Sequence, residues 1–299
     1  MISIVTPAFN AAPYLQETLD SIGAQTLTDW ELIVIEDGTD DGTRVLVEAF
    51  ASTHPQAVTY LRHEKNRGLP ATRNTGIAAA RGDWVALIDA DDLWEPTHLN
   101  NLLHLAETRG ADIIHSGVVL FVSDTGETLS YREPDDQALA DLPFSLFDSR
   151  YPIQPSSTLL RTSLLKMTKG FDVSFKYVED REYWIRLVRN GARIAFCPMR
   201  TCRYRQHEQA MTQNAEKMSL GIAMVHDKHG DWDLIPRQLR TRLASEAWLS
   251  AGRIVLRGKP RLALKYFARA IHWKKFQLRA YLYWCCAALL GLRPSFAHA

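Results

Sequence analysis

Asp89 and Asp91 stand at the end of the apolar run Trp84-Val85-Ala86-Leu87-Ile88, followed at once by Asp92, Leu93 and Trp94. Two like charges delivered to one strand end repel each other unless a proton or a cation intervenes. A divalent ion held by such carboxylates keeps positions open for water and substrate phosphates, so the pattern points to a phosphorylated substrate. The alternative is a solvated turn that caps the next helix. A Walker-type phosphate loop, G-x-x-x-x-G-K-[ST], is absent from the chain, which removes the corresponding nucleotide triphosphatase reading.

Five further residues could carry chemistry. Asp37, in Glu36-Asp37-Gly38, is placed either to accept a hydrogen bond from a ribose or base, or to cap a turn with Gly38 and Gly42. Arg73 enters a helix behind Asn66-Arg67-Gly68-Leu69-Pro70; a cation in a first turn is poorly served by the helix dipole unless an anion joins it. It is either ligand-facing or a surface arginine paired with Asp89 or Asp92. Glu179 and Asp180 open the helical segment Val178–Asn190, where acids serve the dipole or where one of them acts as general base toward a hydroxyl. His207 follows a strand in Tyr204-Arg205-Gln206-His207 and is either a ligand or a structural imidazole.

The elements that must hold these residues alternate. Ile2–Thr6, Trp30–Glu36, Val58–Arg62 and Trp84–Ile88 read as short apolar strands. Helices are expected after Pro13 (stripe Leu15, Thr18, Leu19, Ile22), over Asp41–Ala51 (stripe Val45, Leu46, Ala49) and over Ala71–Ala80. Strand and helix in alternation imply a parallel sheet covered on both faces, with ligands beyond the carboxyl ends of the strands. The first strand continues into Pro7-Ala8-Phe9-Asn10 and lacks the G-x-G-x-x-G turn of a dinucleotide fold, so a nicotinamide cofactor is disfavoured. Farther on, the pattern predicts a helix and the strand Ile113–Val122, a loop region over 123–151, a strand near Ser157–Leu160, a helix near Glu179–Asn190 with inward Tyr183, Trp184, Leu187 and Val188, and a strand near Arg193–Cys197. Beyond Met211 the signals are helical.

With 46% hydrophobic and 23% charged residues over 299 positions, the chain has the composition of a folded globular protein. Its net charge of +1 conceals a division: residues 1–236 hold 22 Lys and Arg against 33 Asp and Glu, and 237–299 hold 13 against Glu246 alone. An acidic body with a basic tail suits contact with an anionic surface. Nucleic acid is disfavoured, because the acidic body would repel phosphate. Four cysteines do not make a disulfide scaffold, and the C-x4-C pair Cys197 and Cys202 has no second pair to complete a zinc site. The opening MISIVTPAFN has no leader-like character, so a cytoplasmic chain is expected.

In order and spacing, Ser3–Asn10, Glu36–Thr43, Asn66-Arg67-Gly68 with Arg73-Asn74, Asp89-Ala90-Asp91-Asp92, and Glu179-Asp180 with Trp184 resemble the inverting family 2 glycosyltransferases. The resemblance implies the GT-A nucleotide-diphospho-sugar transferase fold: a Rossmann-like, mostly parallel α/β sheet with flanking helices over 1–210, followed by a helical, basic region over 211–299. It implies that Pro7, Phe9 and Asp37 surround the base and ribose of the donor, with Arg73 near the base or diphosphate. Asp89 would face the ribose, Asp91 and His207 a metal, Mn²⁺ or Mg²⁺, and Asp180 would be the catalytic base. The chain departs from the family pattern at Glu36 and Gly38, where small hydroxyl residues are common, and at Arg181, where an uncharged or aromatic residue is frequent. The expected activity is transfer of a sugar from a nucleotide-diphospho-sugar to a glycan or lipid-linked hydroxyl acceptor in surface polysaccharide synthesis. A non-catalytic nucleotide-sugar-binding or membrane scaffold is the alternative.

The tail offers two readings of its own. Arg261, Lys265, Arg269 and His272 form one helical face, and Ala263, Tyr266, Phe267, Ala270 and Ile271 the other. Lys274, Lys275 and Arg279 lead into the apolar stretch Tyr281–Leu292, too short for a bilayer crossing of about 20 residues. Either the tail lies peripherally on the anionic inner face of the cytoplasmic membrane, or it is a helical hairpin packed on the catalytic domain.

Overall fold

The computed structural model describes residues 1–207 and 214–291. The chain forms two compact units, Met1–Glu208 and Gln209–Ala299; the boundary expected between 210 and 211 lies outside the described residues.

The first unit opens with β1 (Ile2–Ala8), α1 (Ala12–Gly23), β2 (Trp30–Asp37), α2 (Thr43–Thr53), β3 (Val58–His63), α3 (Leu69–Ala79) and β4 (Trp84–Leu87). It continues through β5 (Leu93–Trp94), α4 (His98–Arg109), β6 (Ile113–Val122), β7 (Thr128–Arg132), α5 (Asp136–Ala140) and α6 (Phe144–Phe147). After a 3-10 turn at Pro155–Ser157 come β8 (Thr158–Arg161), α7 (Thr162–Met167), α8 (Glu179–Arg189) and β9 (Ile194–Gln206). The strands make one sheet in the order β3-β2-β1-β4-β8-β6-β9-β5, with β7 added on β6.

The expected parallel arrangement holds through β3, β2, β1 and β4. β1 and β2 are buried along their whole length, as a sheet covered on both faces requires. The other half is mixed: β8 runs antiparallel to both β4 and β6, while β9 runs parallel to β6. On one face the expected stripe of α1 packs with Ile4, Leu32, Val34 and Ala86. The other face receives α3, where Gly76 sits so close to the sheet that a Cβ would press on Val5 and lie 2.7 Å from Ile35.

Four expectations need correction. α2 buries Thr43, Val47 and Phe50 and packs the expected Leu46 partly against the core, but leaves Val45 68% exposed and Ala49 exposed, because the large Phe50 ring turns that face inward. α3 begins at Leu69 behind Gly68, which moves Arg73 from the first helical turn to the second. The 123–151 region carries β7, α5 and α6 in place of a plain loop; all five residues of β7 are exposed, so it has no buried side to impose alternation. β9 extends far beyond Cys197, through Pro198, with a register irregularity against β6 between Ser116 and Val118 that accommodates the break.

The second unit contains α9 (Ala215–Lys228), α10 (Arg237–Val255), α11 (Pro260–Trp273) and α12 (Leu278–Gly291). It has its own core, in which Ala263, Phe267 and Ala270 of α11 meet Trp248 and Leu249 of α10 and Ala280 and Ala287 of α12.

The tight seat of α3 yields a prediction. Gly76→Ala inserts a methyl group where Val5 and Ile35 leave no room, and should destabilise the chain by about 1–3 kcal/mol. A urea midpoint equal to that of the unaltered chain would contradict this packing.

Candidate active site

The polar residues at the ends of the parallel strands gather as the sheet topology demands. Pro7 is buried within β1, whereas Phe9, just beyond it, is 53% exposed. Asp37 ends β2. Its Oδ1 accepts from His63 Nδ1 at 2.7 Å and from the Arg67 N–H at 2.8 Å, and its Oδ2 accepts from the Gly68 N–H at 2.8 Å. Burial alone would raise this carboxyl; the hydrogen bonds outweigh it and hold the group below the ordinary Asp value. The Thr72 side chain acts on the carboxylate in the same direction. Gly38 departs from the family pattern for a local reason: its φ of 74° and its approach to the Lys65–Asn66 backbone leave no space for a side chain.

Arg73 is the centre of the site. It is 1% exposed, and so is not the surface arginine that was one of its two sequence readings. Its Nη2 donates to Asp89 at 2.8 Å and its Nη1 to Glu179 at 2.7 Å. Burial works against the guanidinium charge, but the attraction of Asp89 and Glu179 is larger and raises its pKa. Asp180 also acts on it electrostatically, so α8 brings Asp180 near the end of β4. Asp180 is half-buried, with Oδ1 accepting from the Arg181 N–H at 2.7 Å. One cation cannot neutralise three carboxylates. Burial pushes Asp89 and Asp180 above the usual carboxylate range despite Arg73, and Glu179 up to about 7.

The acids of the 89–92 turn have separate partners. Asp92 is fully buried, accepting from the Ser156 hydroxyl and from the Arg205 N–H at 3.0 Å; it does not reach Arg73, whose carboxylate partners are Asp89 and Glu179. Asp91 Oδ2 lies 3.0 Å from His207 Nε2, and the His207 ring packs on Tyr14 at 4.9 Å between centroids. The other ring nitrogen, Nδ1, is buried without a hydrogen-bond partner among the described residues. No group of three or more His, Cys, Asp or Glu is placed to hold a metal by itself among those residues. A carboxylate beside an imidazole fits a divalent ion whose remaining positions are filled by phosphate oxygens and water.

Sequence reasoning missed Glu179 as the second partner of Arg73, His63 as the support of Asp37, and Ser156 and Arg205 as the clamps of the turn. Glu179 looked like a dipole residue, and its partner lies 106 positions away. For Arg205 the signal was its place two residues before His207 on an expected strand end.

The sequence pattern described as Glycosyl transferase family 2 matches residues 3–168, more than half of the chain. The chain belongs to glycosyl transferase family 2. Among curated relatives, the glycosyltransferase EpsJ of Bacillus subtilis is 27% identical over 71% of this chain and 63% of its own length. A Rickettsia typhi glycosyltransferase is 30% identical over 63% and 59%. The chain thus spans about three fifths of the length of these relatives. Among solved structures, TarS of S. aureus superposes with a TM-score of 0.67 at 17% identity, covering 91% of this chain and 80% of that one. A mannosyltransferase of Pyrobaculum calidifontis, PcManGT, solved with GDP-Man and Mn²⁺, gives 0.62 at 20%, covering 96% and 86%. The family 2 chain therefore has the GT-A fold expected from its motifs, with a helical unit after it.

The raised carboxyls have a measurable consequence for this family 2 site. Between the ordinary Glu value of 4.5 and about 7, the folded chain keeps a proton on Glu179 that the unfolded chain has released. Stability should therefore fall as pH rises through that window. Glu179→Gln should remove this part of the slope, read from urea midpoints at pH 5 and pH 8. An unchanged slope in the variant would show that Glu179 does not titrate high.

Proposed function

We propose that the protein is an inverting glycosyltransferase that moves a sugar from a nucleoside-diphospho-sugar to a hydroxyl acceptor during assembly of a surface polysaccharide. The observation that carries this reading is the buried Arg73 bridge, which ties the Asp89–Asp91 turn to the helix of Asp180. A diphosphate-facing acid pair and a separate carboxylate for an incoming alcohol are the two things that direct displacement requires. The relatives support the donor and setting: TarS is solved with UDP-GlcNAc, and TuaG of Bacillus subtilis is named for teichuronic acid biosynthesis.

Asp180 takes the proton of the acceptor hydroxyl as that oxygen bonds to the anomeric carbon. The carbon–oxygen bond to the diphosphate breaks on the opposite face, its electron pair leaves with the nucleotide, and the anomeric centre inverts. Burial raises the basicity of Asp180, which brings a carboxylate closer to the operating range of a general base. Phe9 offers an exposed ring to the base, Pro7 and Asp37 complete its surroundings, and Asp89 faces the ribose. Arg73 keeps Asp89 in place close to the diphosphate. Asp91 and His207 would hold a divalent ion, Mn²⁺ or Mg²⁺, which when bound neutralises charge on the diphosphate.

Asp180→Asn should lower turnover by at least about a hundredfold, within the range for losing a general base. Binding of the donor nucleotide, read by thermal stabilisation, should persist. Transfer at the unaltered rate would remove Asp180 from the base role.

We also place this activity at the cytoplasmic face of a membrane, with the chain attached peripherally. No helix among the described residues is long and apolar enough to cross a membrane. The apolar stripe of α11 is taken up by the helical core through Ala263, Phe267 and Ala270, so it is not the surface for attachment. α12 is the better support. It turns Ala280 and Ala287 inward and leaves Tyr281, Leu282, Trp284, Leu289 and Leu290 exposed, Leu282 by 67% and Leu289 by 69%. Exposed Lys274, Lys275 and Arg279 precede this face, and each cation near an anionic leaflet contributes about 1 kcal/mol. The chain should sediment with phosphatidylglycerol vesicles at low salt and not with phosphatidylcholine alone. Leu282→Asp combined with Leu289→Asp should abolish sedimentation without altering thermal unfolding. Sedimentation of this double variant at the unaltered level would exclude the face.

A further inference from the structure

Arg181 follows the proposed base directly, and its guanidinium has no ion-pair partner among the described residues. Arg73, Arg186, Arg205 and Arg240 are each largely buried, and each has a carboxylate within 4.0 Å. Arg181 is also largely buried, yet no ion pair joins it to any described residue. Its Nη2 donates to the Phe147 carbonyl at 2.8 Å, while its Nε is buried with no acceptor.

The two nearest acids are otherwise engaged. Asp148 is bound by Arg150 at 2.8 Å, and Asp180 accepts the Arg181 backbone N–H, not its side chain. Asp180, one residue away on the helix, acts on the Arg181 charge electrostatically without forming an ion pair with it. Burial pulls the guanidinium down to about 10, and the charges of Asp180 and Asp148 only partly restore it. A desolvated cation without a partner is unfavourable. The site therefore suits an anion supplied from outside. The first turn of α8 adds to this, since Val178 gives it no side-chain cap and its N–H groups favour negative charge.

We propose that Arg181 is a specificity-determining residue, the counter-ion for a carboxylate or phosphate carried by the acceptor beside the hydroxyl that Asp180 deprotonates. The inference rests on the reading of Asp180 as the base and names the acceptor class: an acidic sugar or a phosphorylated one. A guanidinium fork matches both groups in shape and charge.

The test titrates glucuronate, glucose 6-phosphate and glucose into the full chain with Mn²⁺ and UDP, and again with GDP. The unaltered chain should bind at least one anionic sugar tenfold or more tightly than glucose, with the preference weakening as salt rises. A preference for glucuronate assigns a carboxylate, and one for glucose 6-phosphate a phosphate. Arg181→Gln should abolish the preference, Arg181→Lys should keep part of it, and both should unfold at the temperature of the unaltered chain. Asp180→Asn should retain the preference while losing transfer. Active Asp180→Asn alongside a preference that depends on Arg181 would overturn the base assignment and leave the anion site standing. Equal binding of all three sugars by the unaltered chain, or an intact preference in Arg181→Gln, overturns the proposal.

Discussion

The site depends on one buried cation shared between acids that the chain supplies from distant places. Arg73 lies 16 residues before Asp89 and 106 before Glu179, and it bonds both. A guanidinium taken out of water must be paired, and a buried carboxylate has the same need. The pairing therefore fixes the approach of α8 to the end of β4, and with it the position of Asp180. The compensation is incomplete. Glu179, Asp180 and Asp89 all hold protons more tightly than free carboxylates do, because burial penalises their charged forms by more than Arg73 relieves.

Around that cation, the turn after β4 divides its acids among three tasks. Asp89 meets Arg73, Asp91 meets His207, and Asp92 turns inward to Ser156 and the Arg205 backbone. Thr18 of α1 donates to the carbonyls of Ala90 and Asp92. The two outward carboxylates are thereby mounted on a turn clamped from α1, β9 and the segment before β8.

The strands and their chemistry were legible because burial on both faces leaves unbroken apolar runs, and each run ends where a polar residue must face solvent. The fold followed from four such runs, and the positions of Asp37, Asp89 and Asp91 followed from their ends. Apart from the pairing of Arg73 with Asp89, partnerships were not legible. An acid in a first helical turn has the same local signature whether it serves the dipole or, like Glu179, a buried arginine. β7 was hidden for the opposite reason: with both sides in water, its Thr128-Leu129-Ser130-Tyr131-Arg132 has no pattern to impose. In α2 the alternatives differed only in which apolar residue faces in, and the size of Phe50 decided it.

The helical unit shows how far composition reaches and where it stops. Charge separation along the chain was plain from counting, but which face stays exposed required the packing. α11 looked amphipathic and is, yet its apolar side is consumed by its neighbours. α12 looked uniformly apolar, and its packing reverses ordinary core usage: small Ala280 and Ala287 are buried while Leu282, Leu289, Tyr281 and Trp284 remain in contact with solvent. Large apolar side chains are normally the first to be buried. Small residues let α12 approach α11 closely, as in the stacking of Tyr283 on Phe267 at 5.6 Å, and the same choice leaves the bulk outside. A helix built only to fill this core would place its leucines on the other side; α12 instead turns its alanines inward and its leucines out.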